Sequence, residues 1–255
     1  MVPPWVEAAE AADNSEPTAP ATSQVSVAPS ARFGAARRAF GDFIASGAKG
    51  RLRDGLGHYA SRGLGGSATA AKRMSGTARR SATLTDALAA LSGVAPIDQA
   101  TATWIQSSSL VGRPTRDIID SIVAYASPLD GSQDAEASQR AMTEALADLL
   151  TEQPQTDLFN LTEEAIDWIL GRFIGNDIIY RLELDLGDRI HKRAKSFSQG
   201  VRRMDEMKDY VRQVVAVEFQ RTPPSSRPSV SREATSTFSR KLIESVYAVF
   251  ESYIR

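Results

Sequence analysis

From Arg32 onward, apolar residues recur every three to four positions through almost the whole chain, the spacing of one face of an α-helix. Phe33, Ala36, Phe40, Phe43 and Ile44 define a first helix. Leu52, Leu56 and Tyr59 mark a short second one, stopped by Gly63. Ser67 is placed to cap a third, which runs through Ala71, Met74, Ala78, Ala82 and Leu88 to Leu91 before Ser92-Gly93 ends it. Its stripe is mostly alanine, so a neighbour can approach closely. Gly93 to Gly112 predicts a shorter helix around Trp104 and Ile105, and Thr115 caps one carrying Ile118, Ile119, Ile122 and Val123.

The second half is more regular. Ala141, Ala145, Leu146, Leu149 and Leu150 repeat within Ala135 to Leu150. Thr162 followed by Glu163-Glu164 makes a good helix start, because carboxylates suit the positive end of the helix dipole. From Ile166 through Ile169, Leu170, Phe173, Ile174, Ile178, Leu182 and Leu186 to Ile190 runs the longest apolar face in the chain. Val201, Met204, Met207, Val211, Val214 and Val215 supply another. The loop TPPSSRPS interrupts at Thr222 to Ser229, and Ser231 caps a last helix bearing Phe238, Leu242, Val246, Val249, Phe250 and Tyr253. No run alternates with a period of two between hairpin turns, and the β-branched stretch from Val214 to Phe219 has helical flanks. The expected class is all-α, a single multi-helix domain over 31–255.

Residues 1–30 break this pattern. They are rich in Pro, Ala, Ser and Glu, show no sustained period, and cannot bury enough apolar surface to offset ordering. A flexible arm is expected. Its tip is the exception: Val2, Trp5 and Val6 around Pro3-Pro4 form a short, stiff, apolar segment. Polyproline conformation loses little entropy on binding, so Val2, Pro3, Pro4 and Trp5 fit a docking peptide.

Charge divides the chain further. The net charge is only −1, yet residues 1–30 hold four acids (Glu7, Glu10, Asp13, Glu16) and no base. Residues 31–80 hold eleven Lys/Arg against two Asp/Glu, and the remaining 81–255 are net acidic. The body thus divides into a basic part, 31–92, and an acidic part, 93–255. Such segregation predicts either an internal electrostatic clasp or a surface for an anionic partner.

Candidate chemistry is sparse. Without a single Cys, disulfides, thiolate zinc sites and a Cys nucleophile are excluded. His58 and His191 are the only histidines and match no metal-ligand spacing, so no metal and no cofactor is expected. No signal peptide is readable, and no apolar run is long enough for a membrane span, which predicts a cytoplasmic, soluble protein without membrane contact. His191, in RIHKRAK, belongs to a solvated cationic turn and is given no role. His58 is read either as an acid/base or phosphate ligand among Arg51, Arg53 and Arg62, or as a helix residue bonded locally. Gly63-Leu64-Gly65-Gly66-Ser67 lacks the GK[ST] ending of a phosphate-binding loop and reads as a glycine hinge, though the helix start beside Arg62 and Lys72 would attract an anion. Lys72, Arg73, Arg79 and Arg80 share one broad helical face. That face is either merely solvated or contacts an acidic protein surface or nucleic acid. Aromatic groups for base stacking are scarce there, which disfavours reading of nucleic-acid sequence.

The stretches VPPWV, RFGAARRAFGDFIASG, LRDGLGHYASRGLGGSATAAKRMSGTAR, LVGRPTRDIID and VYAVFESYI together resemble the QatB family of bacterial anti-phage Qat systems. The resemblance covers nearly the whole chain and is most specific in the GHY-to-GTAR block. It implies a non-enzymatic partner in antiviral defence, encoded beside an ATPase, a QueC-like enzyme and a TatD-like nuclease. It further implies that the QueC-like enzyme, of a class that makes deazaguanines, conjugates one to this protein's N-terminal glycine. A flexible arm suits that role, since an amine to be modified must reach into another protein's active site. Relatives start Met-Gly with a Gly/Ser-rich leader before the PPW element, whereas this chain starts Met1-Val2, so the acceptor glycine is missing from it as written. The alternative role is a nucleic-acid-binding adaptor that recruits the nuclease through the basic 31–80 block.

Overall fold

The helix with the longest apolar run lies at the centre of the molecule. The computed structural model describes residues 31–94, 98–187, 193–223, 227 and 231–254; the tip Val2, Pro3, Pro4 and Trp5, Ile190, His191 and most of the Pro/Ser loop lie outside the described residues. The helices are α1 Gly34–Ser46, α2 Lys49–His58, α3 Ser67–Arg73, α4 Ser75–Leu91, α5 Gln99–Ser108, α6 Thr115–Ala126, α7 Gln133–Glu152, α8 Glu163–Leu186, α9 Phe197–Arg221 and α10 Arg232–Ser252. A π-helical turn, Tyr59–Gly63, continues α2. Among the described residues no strand forms, and Val214 to Phe219 is helical as its flanks predict.

Helix α8 packs against α4, α7 and α9, while α10 lies across α2, α3, α4 and α9. One hydrophobic cluster runs from Phe33 in the basic part to Phe250 at the far end, taking in Phe40, Leu88, Leu146, Phe173 and Val211. Four long helices start on side-chain caps. Ser132, Thr162, Ser196 and Ser231 each accept a hydrogen bond from the backbone N–H three residues on. This satisfies one of the donors a helix start leaves open.

The structure shifts three of the expected details. Thr115 and Ser67 are the first helical residues rather than the caps, those positions being held by Pro114 and Gly66. Gly66 has φ +101°, a conformation glycine adopts without a Cβ penalty. The expected helix Ser67 to Leu91 breaks at Met74 into α3 and α4, where Ser75-Gly76 weakens the helical ladder. The buried face of α9 runs Gly200, Met204, Met207, Val211 and Val215, so Val201 falls one position round and is 45% exposed.

Small residues in the basic part serve close approach. A Cβ on Gly55 would lie 2.9 Å from the Phe40 ring, and one on Gly63 2.6 Å from the Phe33 ring. On Gly57 it would meet Ile254 at 2.6 Å and the Phe250 carbonyl at 3.1 Å. Glycine at these positions lets α2 and the π turn nest between α1 and α10.

At mid-length α8 carries Asn176 and Asp177, both fully buried. Asp177 accepts hydrogen bonds from Thr77 Oγ1 on α4 (2.5 Å), Ser138 Oγ on α7 (2.8 Å) and its own helix's Arg181 Nε (3.0 Å). Arg181 also pairs with Asp134 at 2.6 Å. Asn176 accepts from Arg212 Nε of α9 at 2.9 Å, and Arg212 reaches Glu144 of α7 at 2.8 Å. A charge buried in low dielectric persists only when paired and hydrogen-bonded.

Two predictions follow from this packing. Asp177→Ala strands Arg181, Thr77 and Ser138 in the interior and should destabilise the fold by about 3–5 kcal/mol, read as a fall in the urea midpoint. Gly57→Val overpacks the α2–α10 crossing and should cost about 1–3 kcal/mol; an unchanged thermal midpoint would show that α10 can yield there.

Candidate functional site

The residues singled out from sequence ride on α2, the π turn, α3 and α4, whose apolar sides are used up by the core. Leu52, Leu56, Tyr59, Ala70, Ala71 and Met74 are buried, so the intervening Lys and Arg must face outward. Arg51, Arg53, Arg62, Lys72, Arg73 and Arg79 are exposed.

They differ in what holds them. Arg51 pairs with Asp54 one turn on, at 3.3 Å. Arg53 is tied down: its Nε donates to the Tyr210 hydroxyl at 3.1 Å, and its guanidinium lies over the Tyr210 and Tyr253 rings. Tyr210 in turn donates to Tyr253 at 2.9 Å. Arg53 thus staples α2 to α9 and α10. Arg80 is mostly buried and reaches Asp130, between α6 and α7, at 3.5 Å.

His58 is half-buried, and its Nδ1 makes no hydrogen bond. Burial holds its pKa below the ordinary histidine value, and the charges of Arg62 and Arg38 add to that. It is therefore brought together with Arg62, while Arg73 comes together with Arg32 near the root of the arm. Arg53 and Arg80 are drawn away to separate neighbours. A Cβ on Gly66 would stand 3.2 Å from Glu251 Oε1, so a carboxylate of α10 lies close to the start of α3.

Three concavities were not singled out from the sequence, among them one of about 650 Å³ between α9 and α10 along Glu218, Phe238 and Lys241. Another, about 280 Å³, lies between α8 and α9 with Trp168, Gly171, Ala216 and Phe219 as its apolar floor. Its rim arginines are engaged: Arg172 with Asp148 at 2.6 Å, and Arg227 with Asp167 at 3.1 Å. The third, about 150 Å³, is polar and bounded by Tyr59, Arg181, Asp185 and Tyr247. Tyr59 donates to Asp185 at 2.9 Å, whereas the buried Tyr247 hydroxyl makes no hydrogen bond. Burial keeps both phenols protonated well above the usual tyrosine range. No local pattern signalled this recess, whose lining comes from segments far apart in the chain. Among the described residues no three His, Asp or Glu side chains gather as metal ligands.

A family model described as "Qat anti-phage system associated protein QatB" matches residues 65–250. That span takes in the second part of the basic block, from Gly65, and the body from α3 through most of α10, with α1, α2 and the π turn outside it. No curated protein and no solved structure matches the chain. With well over half of its length matched, the chain belongs to the QatB family, proteins associated with the Qat anti-phage system.

Proposed function

We propose that this protein is a non-catalytic partner subunit of its Qat system and that its N-terminal arm is engaged, as a modification acceptor, by the system's QueC-like enzyme. The observation that carries this reading is how the interior ionisable groups are spent. Asp177, Arg181 and Arg212 each close a tie between helices, and Tyr59 spends its proton on Asp185. In this reading recognition falls to Val2, Pro3, Pro4 and Trp5 and to the solvent-exposed Arg62, Lys72, Arg73 and Arg79. The helical body gives the arm a rigid platform, and Pro3, Pro4 and Trp5 form the grip behind the modified terminus.

The exposed basic residues support a second contact, with an acidic protein surface such as one on the ATPase or the TatD-like nuclease. Arg62, Lys72, Arg73 and Arg79 project from elements that contribute no aromatic platform to solvent, so a charged protein face suits them better than unstacked bases. Nucleic acid is the competing partner.

An N-terminal nucleophile that must thread a narrow pocket is best supplied by glycine, whereas Val2 is β-branched and followed by two prolines. A version carrying a Met-Gly leader ahead of the VPPW element, co-expressed with the QueC-like enzyme, should gain mass at its N-terminus. Trp5→Ala should weaken the complex with that enzyme even when the leader is present. Intact-mass analysis that finds no addition on the extended chain would end the acceptor reading.

For the basic face, duplex DNA binding should be undetectable at low salt. If the protein did bind DNA, affinity would fall by about 0.9 log units per log unit of salt for each phosphate contact. Replacing Lys72, Arg73, Arg79 and Arg80 by Gln would then flatten that slope, and such a result would favour the nucleic-acid adaptor instead.

A further inference from the structure

The polar recess beside Tyr59 and Tyr247 lies where the helical pattern is interrupted twice. The π turn Tyr59–Gly63 supplies Tyr59 to it, and the break between α3 and α4 supplies Met74. Single π turns joined to α-helices are rare and often mark functional sites. The lining then sorts by chemistry. Leu64, Ala70 and Met74 give it a buried apolar side. Arg181 and Asp185 come from α8, while the exposed Arg73, Gln133 and Asp134 stand at the mouth.

Hydrogen-bonding capacity remains in this lining. Arg181 directs Nε to Asp177, Nη1 to Asp134 and Nη2 to Thr77, and a guanidinium has further N–H groups to offer. Asp185 accepts from the Tyr59 hydroxyl at Oδ2, 2.9 Å away, and a carboxylate takes further donors. Tyr247 is fully buried, and its hydroxyl makes no hydrogen bond among the described residues. Burial and then the charges of Arg181, Asp177 and Asp185 act on that hydroxyl, which places it at the charged end of the recess. A buried hydroxyl without a partner costs free energy that an incoming polar group would recover.

Charge balance selects what that group belongs to. A monoanion is drawn by Arg73 and Arg181 but repelled by Asp134 and Asp185, and a monocation meets the reverse. A molecule carrying both signs is matched by both. The recess of about 150 Å³ has the volume of about five water molecules, which suits a compact amino acid and excludes a nucleotide or a folded peptide. We propose that this recess binds a small α-amino acid as its zwitterion. The carboxylate lies toward Arg73 and Arg181, the ammonium toward Asp185 and the Tyr247 hydroxyl, and the side chain against Leu64, Ala70 and Met74. Bound there, the ligand joins the π turn and α3 to α8 and α10, and so ties the basic part to the central helix.

The test titrates the full chain with glycine and with L-alanine, L-serine, L-threonine and L-valine, first by thermal shift and then by calorimetry. A ligand that binds only the folded state raises the thermal midpoint with its concentration. At least one of these amino acids should do so saturably in the millimolar range. Its amide, a cation, and its N-acetyl form, an anion, should each bind about tenfold more weakly. Tyr247→Phe removes a hydroxyl that has no partner to lose, so the midpoint without ligand should hold or rise while binding weakens about tenfold. Asp185→Asn keeps an oxygen for the Tyr59 hydroxyl but removes the negative charge, so it should weaken the zwitterion and strengthen the N-acetyl form.

No saturable shift with any of the five amino acids overturns the site. Equal binding by the wild type and both variants overturns it too, since the ligand then sits elsewhere. So does an amide or N-acetyl form that binds the wild type as tightly as the zwitterion. Neither the arm nor a partner enzyme takes part in these measurements, so their outcome is separate from that of the acceptor test.

Discussion

Burial of one carboxylate organises this molecule. Asp177 sits at the middle of the central helix with no access to water, and its acceptor capacity is met by groups from α4, α7 and α8 itself. An ionised group in that position is tolerated only if every partner arrives together. The neighbouring Asn176 extends the same requirement to α9 through Arg212. The apolar contacts around α8 are non-directional and would accept several helix registers. The polar pair would not, and so it sets the rotation of three helices about the fourth.

The basic part obeys a different constraint, that of distance. Glycines at 55, 57 and 63 remove side chains where α2 and the π turn press on Phe40, Phe33 and α10. Glycines and the apolar Leu52, Leu56 and Tyr59 face inward, and the side chains of the same segments that face outward are mostly Lys and Arg. The composition of the block thus follows from close packing on one side and charge on the other. The face lies on a chain whose family is associated with the Qat anti-phage system.

How much of the site was legible follows from the same physics. Exposure of Arg51, Arg62, Lys72, Arg73 and Arg79 could be read from helical spacing alone, because apolar neighbours at three and four residues fix which face is buried. The fates of Arg53 and Arg80 could not. Arg53 meets Tyr210 and Arg80 meets Asp130, partners 157 and 50 residues away in the chain. The polar recess beside Tyr59 and Tyr247 was invisible for the same reason, since it joins side chains from five helical elements: the π turn, α3, α7, α8 and α10.

Local patterns alone determined the all-α class, the order of the helices, the caps at Thr162 and Ser231 and the charge segregation, because each depends on residues within a turn or two of one another. Tertiary structure decided which helix became central, since an apolar run does not say what surrounds it. It also decided where the third helix broke and which arginines became struts between helices. Those outcomes depend on contacts between distant segments, and their energies appear only when the helices meet.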